Sequence, residues 1–345
     1  MKLKPYIISE IAQAHDGSLG IAHSYIDALA ATGVDAIKFQ THIADAESSV
    51  HEPFRVKFSY EDDTRFDYWK RMEFTKEQWA GLKSHCDEKG VEFISSPFSC
   101  AAVDLLESVG VKKYKIGSGE VSNWLMLEKI AHTGKEIILS SGMSSLTELD
   151  ATVDFLKTFD NKLSILQCTT AYPTKPGQWG LNVIPLLQQR YPFPIGFSDH
   201  SGNIFSCLAA TALGAEIIEF HAVFDQEMFG PDAKASLTID QIKQLVQGIR
   251  EISTDLNTIP GKESSENFSD LKKIFEKSLA INRSLERGHT LGIEDLEAKK
   301  PSGFGIPAKD FLQVLGKRLV KEKSAWDFLQ QEDLSNDNSP EASNK

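Results

Sequence analysis

A chain of 345 residues with 41% hydrophobic and 25% charged residues holds enough apolar material for a large core and a smaller second domain. Its net charge of -12 excludes the broad basic face of a non-specific nucleic-acid binder, while leaving room for a small local anion site. The four cysteines, Cys86, Cys100, Cys168 and Cys207, show no CxxC spacing and read as buried thiols of a reducing compartment, not as a disulfide framework.

The chain opens with Met1 to Pro5, which runs straight into a strand-like segment. With no signal peptide and no membrane-spanning apolar run, a cytoplasmic protein that binds no membrane is expected. Tyr6 to Ile11 is a plausible first strand. Ser18 to Thr32 carries helical periodicity through Leu19, Ala22, Ile26 and Leu29, and Gly33 stops it. Asp35 to Gln40 is the second strand. The alternation then repeats. Strands are expected at Glu92 to Ser95, Lys113 to Ile116, Glu136 to Ser140, Leu163 to Gln167, Pro194 to Ser198 and Ile217 to His221. Helices follow at Cys100 to Val109, Trp124 to Thr133, Leu146 to Phe159, Val183 to Gln189, Ile204 to Leu213 and Ile239 to Ile252. Eight βα units predict an α/β fold closed as a (β/α)8 TIM barrel, with a doubly wound open sheet as the competitor.

Residues 42–90 break the even spacing. Thr75 to Lys89 is a helix with Thr75 as its N-cap. The charged, aromatic stretch before it reads either as a lid at the catalytic end of the barrel or as an anchored surface excursion. The barrel domain is expected to span 1–252, with a polar linker over 253–277 whose clearest part is Ser253 to Asn267. A compact unit of short strands and turns should occupy 278–334, with a disordered tail at 335–345.

Two strand-like runs each end in a histidine, at Phe197-Ser198-Asp199-His200 and Ile217-Ile218-Glu219-Phe220-His221. Parallel strands lie about 4.8 Å apart, and ligands collect at strand carboxyl ends. If these strands are neighbours, His200 and His221 can reach one divalent metal ion.

Motifs near the strand ends carry a resemblance. They are Ser9-Glu10-Ile11-Ala12-Gln13-Ala14-His15, Lys38-Phe39-Gln40-Thr41-His42, Ser95-Ser96-Pro97-Phe98, Lys115-Ile116-Gly117-Ser118-Gly119-Glu120, Ser140-Ser141-Gly142-Met143, Cys168-Thr169-Thr170-Ala171-Tyr172-Pro173 and Ser198-Asp199-His200. In this order they resemble the sialic acid (N-acetylneuraminate) synthase family. Residues 278–334, with Glu294-Asp295-Leu296 and Lys300-Pro301, resemble the antifreeze-like (β-clip, or SAF) domain that closes those enzymes. The resemblance implies an enzyme that condenses phosphoenolpyruvate with an amino-sugar aldehyde such as N-acetylmannosamine. Phosphate is released and a 3-deoxy-2-keto acid forms. It also implies a divalent metal, Mn2+ or Mg2+, at His200 and His221, and a domain-swapped homodimer.

By the same resemblance Lys38, Ser96, Lys115, Ser118, Ser140 and Ser198 form a donor ring of cations and hydroxyls for phosphoenolpyruvate. Glu10 becomes a catalytic carboxylate, alongside His200 and His221. Glu120, Thr170, Tyr172, Asp232 and Lys300 become acceptor contacts, with Gln13 and His15 as weaker candidates near Glu10. The pattern departs at Thr170, where asparagine is common, and at Phe220 and Lys300, where arginine is common. Lysine lacks the planar fork of arginine, so the acceptor is the open half of the reading. The rival readings are a synthase for a different sugar aldehyde, a metal-dependent aldolase that releases no phosphate, and a non-enzymatic carbohydrate-binding protein.

Overall fold

The computed structural model describes residues 4–56, 58–258 and 264–335. The chain divides into two compact units, Met1–Ile259 and Pro260–Lys345.

In the first unit, eight parallel strands close on themselves. They are β1 Tyr6–Glu10, β2 Ala36–Thr41, β3 Glu92–Pro97, β4 Lys113–Ile116, β5 Glu136–Ser140, β6 Leu163–Cys168, β7 Ile195–Asp199 and β8 Ile217–Val223. Each pairs with the next, and β1 pairs with β8 in parallel register. That last pairing excludes the open sheet and makes a (β/α)8 barrel. A two-residue strand, β9 Leu237–Thr238, pairs in parallel with the end of β8, at Ala222 and Val223.

The helices form where local signals demand them. Ser18 caps α1 Leu19–Ala30, Thr75 caps α4 Lys76–Lys89 with a capping box, and Ser99 caps α5 Cys100–Val109. Gly90 and Gly110 end the latter two in the left-handed conformation. Around the barrel follow α6 Trp124–Ala131, α7 Leu146–Leu156, α8 Val183–Arg190, α9 Phe205–Ala212 and α10 Ile239–Asn257. Gly33 has φ 84°, yet α1 ends earlier, at Ala30. The final helix runs to Asn257, into the segment expected as a linker. A further helix, α11 Ser269–Phe275, lies within that segment too. Phe220, a position where the resembled family commonly has arginine, lies inside β8 and packs in the hydrophobic core.

The excursion after β2 is ordered around two helices, α2 Ala44–Glu47 and α3 Arg65–Met72. Thr64 and Asp67 form a capping box at the start of α3. Tyr68, Trp69 and Met72 bury against Ala44, with Phe54, Phe58 and Phe66 packed around them. Arg71 ties the excursion down, bonding Asp62 at 2.7 Å and Asp16 at 2.6 Å. A Cβ at Gly17 would lie 2.5 Å from the Arg71 carbonyl oxygen, so that approach requires glycine.

The second unit pairs β10 Ser278–Ile281 antiparallel with β11 Leu296–Lys299 over its own core, including Leu279, Ile281, Val314 and Leu329. Asp295, fully buried, accepts from Arg283, His289 and the Gly292 amide. Within this unit Lys300 Nζ sits 4.9 Å from the Phe275 ring centroid. The tail at 336–345 lies outside the described residues. Cys86, Cys168 and Cys207 are buried free thiols, whereas Cys100 is only half-buried. Among the described residues no helix is long and apolar enough to cross a membrane.

Candidate active site

The inside of the barrel is built in layers because strand side chains alternate with a period of two. Ile8, Ala36, Ile94, Ile138, Leu166 and Ile217 form one apolar layer. Two residues further along the same strands stand Glu10, Lys38, Ser96, Ser140, Cys168 and Glu219, and these line a cavity of about 360 Å³. Strand β7 contributes Gly196 to the apolar layer and Ser198 to the polar one. A Cβ at Gly196 would meet Leu166 Cδ2 at 2.4 Å and the Ile217 oxygen at 2.5 Å.

All six expected donor residues line this cavity, as do Glu10, Glu120, Thr170, Tyr172, Asp232, His200 and His221. The donor ring is not made of cations and hydroxyls alone, because two carboxylates sit inside it. Lys38 Nζ lies 2.5 Å from Glu10 Oε1 and 3.8 Å from Glu219 Oε1, and it donates to Ser96 Oγ at 3.4 Å. Lys115 Nζ lies 3.1 Å from Glu219 Oε1, which also accepts from Ser198 Oγ at 3.0 Å. Burial works against charge on Lys38, but Glu10 and Glu219 hold its pKa above the ordinary lysine value. Burial also opposes ionisation of Glu10, yet His221, Lys38 and Lys115 hold its carboxyl far below the usual range. Ser140 Oγ and Glu219 Oε2 are buried with no hydrogen-bond partner in the protein. Unsatisfied buried polar atoms in a cavity indicate where a ligand would bond.

The strand register explains why Glu10 is central. It lies directly opposite Lys38 on one side and His221 on the other. His221 Nε2 is 3.1 Å from Glu10 Oε2, and Gln40 Nε2 donates to Glu10 Oε1 at 2.6 Å. Burial lowers the His221 pKa against the pull of Glu10, and the ring turns its Nε2 toward the Glu10 carboxylate. Its Nδ1 is buried with no partner.

The two histidine rings are 5.1 Å apart between centroids. His200 Nδ1 faces the Thr169 carbonyl at 3.0 Å and Cys168 Sγ at 3.8 Å. Burial opposes charge on His200, but Cys168 and the Thr169 carbonyl raise its pKa to about 9. A metal at its Nε2 would have to displace a proton there. Among the described residues no three His, Cys, Asp or Glu groups converge as a closed metal cage. The pair fits a metal whose remaining positions are filled by substrate or water. His221 Nδ1 is unpaired, and the Thr169 carbonyl fixes the tautomer that leaves His200 Nε2 for ligation.

The excursion supplies the outer wall through Phe54, Arg55, Phe58, Arg65, Tyr68 and Trp69. His42 is stacked between Trp69 at 4.0 Å and Phe98 at 4.6 Å, and its Nδ1 meets Glu47 Oε1 at 2.6 Å. Tyr172 packs against His200 with ring centroids 4.2 Å apart and the planes tilted by 37°, and the Arg55 guanidinium lies 4.1 Å from the Tyr172 ring centroid. Arg55 also pairs with Asp232 at 2.6 Å. Glu120 bonds Asn123 and pairs with neither cavity lysine. Gln13 reaches the cavity, but His15 does not line it and packs against Phe74 at 4.8 Å. Lys300 belongs to the second unit.

The sequence did not single out Gln40, His42, Glu47, Arg55, Cys168 or Glu219 as site residues. Glu219 carried a signal, since it is two residues before His221 in a strand and must share its face. Cys168 carried the same signal relative to Leu166. Nothing local marks Arg55.

Residues 25–259 match the NeuB family model. The chain is 33% identical over 324 residues to the N,N'-diacetyllegionaminic acid synthase of Campylobacter jejuni, covering 92% of this chain and 96% of that one. It is 30% identical to the N-acetylneuraminate-9-phosphate synthase of Homo sapiens, covering 96% and 93% respectively. The crystal structure of the N-acetylneuraminic acid synthetase of Leptospira borgpetersenii, in complex with citrate, superimposes with a TM-score of 0.69. It shares 30% identity and covers 78% of this chain and 90% of that one. A truncated 3-deoxy-D-arabino-heptulosonate 7-phosphate synthase of Thermotoga maritima shares the fold at 16% identity and a TM-score of 0.57. With a family model spanning most of the barrel and named synthases matching along nearly its whole length, this chain belongs to the NeuB family of sialic acid synthase-like enzymes.

Proposed function

We propose that this chain condenses phosphoenolpyruvate with an amino-sugar aldehyde, releasing phosphate and forming a 3-deoxy-2-keto acid of the sialic or related nonulosonic type. The observation that carries the reading is one cavity lined by Lys38, Lys115 and four serines beside two histidines, of which His221 has an unpaired buried Nδ1. Phosphoenolpyruvate brings a carboxylate and a phosphate, which match two ammonium groups and the hydroxyls of Ser96, Ser118, Ser140 and Ser198. C3 of the enol forms the new bond to the aldehyde carbon, and the aldehyde oxygen takes up a proton. Water adds at C2, and the C2–O bond to phosphate then breaks to leave the ketone. Glu10, ionised and facing His221, offsets the positive charge that develops at C2 and accepts the proton of the incoming water at its carboxylate. Mn2+ or Mg2+ held by His200 and His221 would supply Lewis-acid polarisation of the aldehyde oxygen. Glu120, Thr170, Tyr172 and Asp232 then face the sugar chain.

The test is a phosphate-release assay with phosphoenolpyruvate and a panel of sugar aldehydes, run with and without chelator. Phosphate should appear only when both substrates are present. Carbon–carbon bond formation from pyruvate with no phosphate would instead make it an aldolase. Sugar binding with no turnover of any aldehyde would make it a carbohydrate-binding protein.

The finer reading covers assembly. We propose that residues 278–334 are an antifreeze-like domain and that the protein is a cytoplasmic homodimer in which Lys300 serves the acceptor site of the partner barrel. A His200→Ala chain mixed with a Lys300→Ala chain should then regain activity, because one barrel has intact histidines and receives an intact Lys300. If two nearly inactive parents exchange subunits and stay inactive, Lys300 serves its own barrel or none.

A further inference from the structure

Four polar side chains, Glu47, His42, Gln13 and Gln40, connect the excursion to Glu10, and the condensation steps above use none of them. Glu47, at the end of α2, meets His42 Nδ1 through Oε1 at 2.6 Å, and its Oε2 accepts from the Ile43 amide at 3.3 Å. His42 is 3% exposed and lies between the Trp69 and Phe98 rings, at interplanar angles of 18° and 12°. Its Nε2 faces Gln13 Nε2 at 3.1 Å and Gln40 Oε1 at 3.2 Å. The Gln13 amide also donates to Gln40 Oε1, and Gln40 Nε2 donates to Glu10 Oε1 at 2.6 Å.

Each link constrains the next. A carboxylate only accepts, so the ring proton of His42 belongs on Nδ1 and Nε2 is left as a lone pair. That lone pair calls for a donor, which the Gln13 NH2 supplies. One NH2 serves His42 Nε2 and Gln40 Oε1 together, because an amide nitrogen carries two protons. With its oxygen held, Gln40 turns its NH2 to Glu10. The reversed amide would set a carbonyl oxygen against the buried Glu10 carboxylate. Glu10 Oε1 thus takes both Lys38 and Gln40, whereas Oε2 meets His221 and keeps a second lone pair open.

Resting on the condensation reading for its chemistry, we infer that Glu47 and His42 are positioning residues for Glu10. Glu47 sets the His42 tautomer, and the tautomer sets both glutamine amides. The Glu10 carboxylate is pinned through Oε1, and Oε2 is presented to the incoming water. Neither residue touches the reacting atoms. Both act through Gln13 and Gln40, so the seating of the excursion sets the orientation of the catalytic carboxylate as well as the outer wall of the cavity.

The test uses the full chain and two kinds of readout. Nitrogen-15 NMR of histidine-labelled protein, assigned with His42→Gln, reads the tautomer, and the Gln40 side-chain NH2 signals, assigned with Gln40→Asn, read its contact with Glu10. The parent should carry the His42 proton on Nδ1 alone. Glu47→Gln can donate as well as accept, so it should release the tautomer and shift the Gln40 NH2 signals. In the phosphate-release assay, Glu47→Gln and His42→Phe should each lower kcat by about tenfold to a hundredfold with little change in the phosphoenolpyruvate KM. His42→Phe keeps a ring between Trp69 and Phe98, so its unfolding midpoint should hold while kcat falls. His42→Gln, whose amide oxygen reaches the Nε2 position, should regain most of the activity that His42→Asn loses. A proton on Nε2 in the parent, or unchanged NMR signals in Glu47→Gln, overturns the inference. Losses that follow the unfolding midpoint alone would make His42 a packing post and overturn it too. If no aldehyde elicits phosphate release from the parent, the condensation fails, and the NMR signals still decide whether Glu47 orients Gln40 on Glu10. If Glu47→Gln and His42→Phe release phosphate at the normal rate, the condensation stands and the positioning fails.

Discussion

Replacing Lys38 with alanine is expected to lower the stability of the barrel by about 3–5 kcal/mol, the usual result of breaking a buried ion pair from one side. The side chains of Lys38 and Glu10 are 2% and 3% exposed and lie 2.5 Å apart. Without Lys38, Glu10 keeps only His221 and Gln40, and Glu219 keeps only Lys115 and Ser198. Donor binding should weaken by a further ~1.5–3 kcal/mol through the lost charge-assisted hydrogen bonds. Denaturant unfolding would show the first effect, and titration with phosphoenolpyruvate the second. The double variant Lys38→Met with Glu10→Gln should recover most of the stability and none of the activity. An unchanged midpoint in Lys38→Ala would mean that the pair is far better solvated than its burial indicates. Lys115→Ala should behave similarly, since it leaves Glu219 with the Ser198 hydroxyl and the more distant Lys38 at 3.8 Å.

The second large effect is expected at the histidines. His221→Ala should remove bound metal and cut turnover by about 10³-fold or more, because a Lewis acid at a developing charge is worth several kcal/mol. The barrel should stay folded, since neither His200→Ala nor His221→Ala opens a large cavity, and circular dichroism can confirm that. Elemental analysis of the purified variants reads the metal directly. Either variant turning over at the normal rate in the presence of a chelator would end the metal assignment.

The parts of this protein that rest on local patterns could be read in the chain itself. The strands recur as apolar runs, and the helices start at Ser or Thr caps and stop near glycines, because backbone hydrogen bonding and φ preferences act over a few residues. The polar layer was partly readable for the same reason. Once His221 faces inward, a period of two puts Glu219 inward too, and the apolar layer at Ile8, Ala36 and Ile94 predicts Glu10, Lys38 and Ser96 above it. The excursion helix Arg65–Met72 had a readable start in Thr64 and Asp67, but its buried face exists only because Ala44 comes back against Tyr68 and Trp69. The long last helix of the barrel was cut short in the sequence because its final turn, Thr254 to Asn257, has Leu256 as its one apolar residue and that side chain is exposed. Tertiary structure alone decided the charge pairing. Closure of β1 on β8 sets Glu10 against His221, and the folded excursion brings Arg55 onto Asp232, 177 residues away. Ion pairs of that kind have no sequence period. Their partners are chosen by which side chains the closed barrel leaves in the same small volume, where an unpaired charge is too costly to keep.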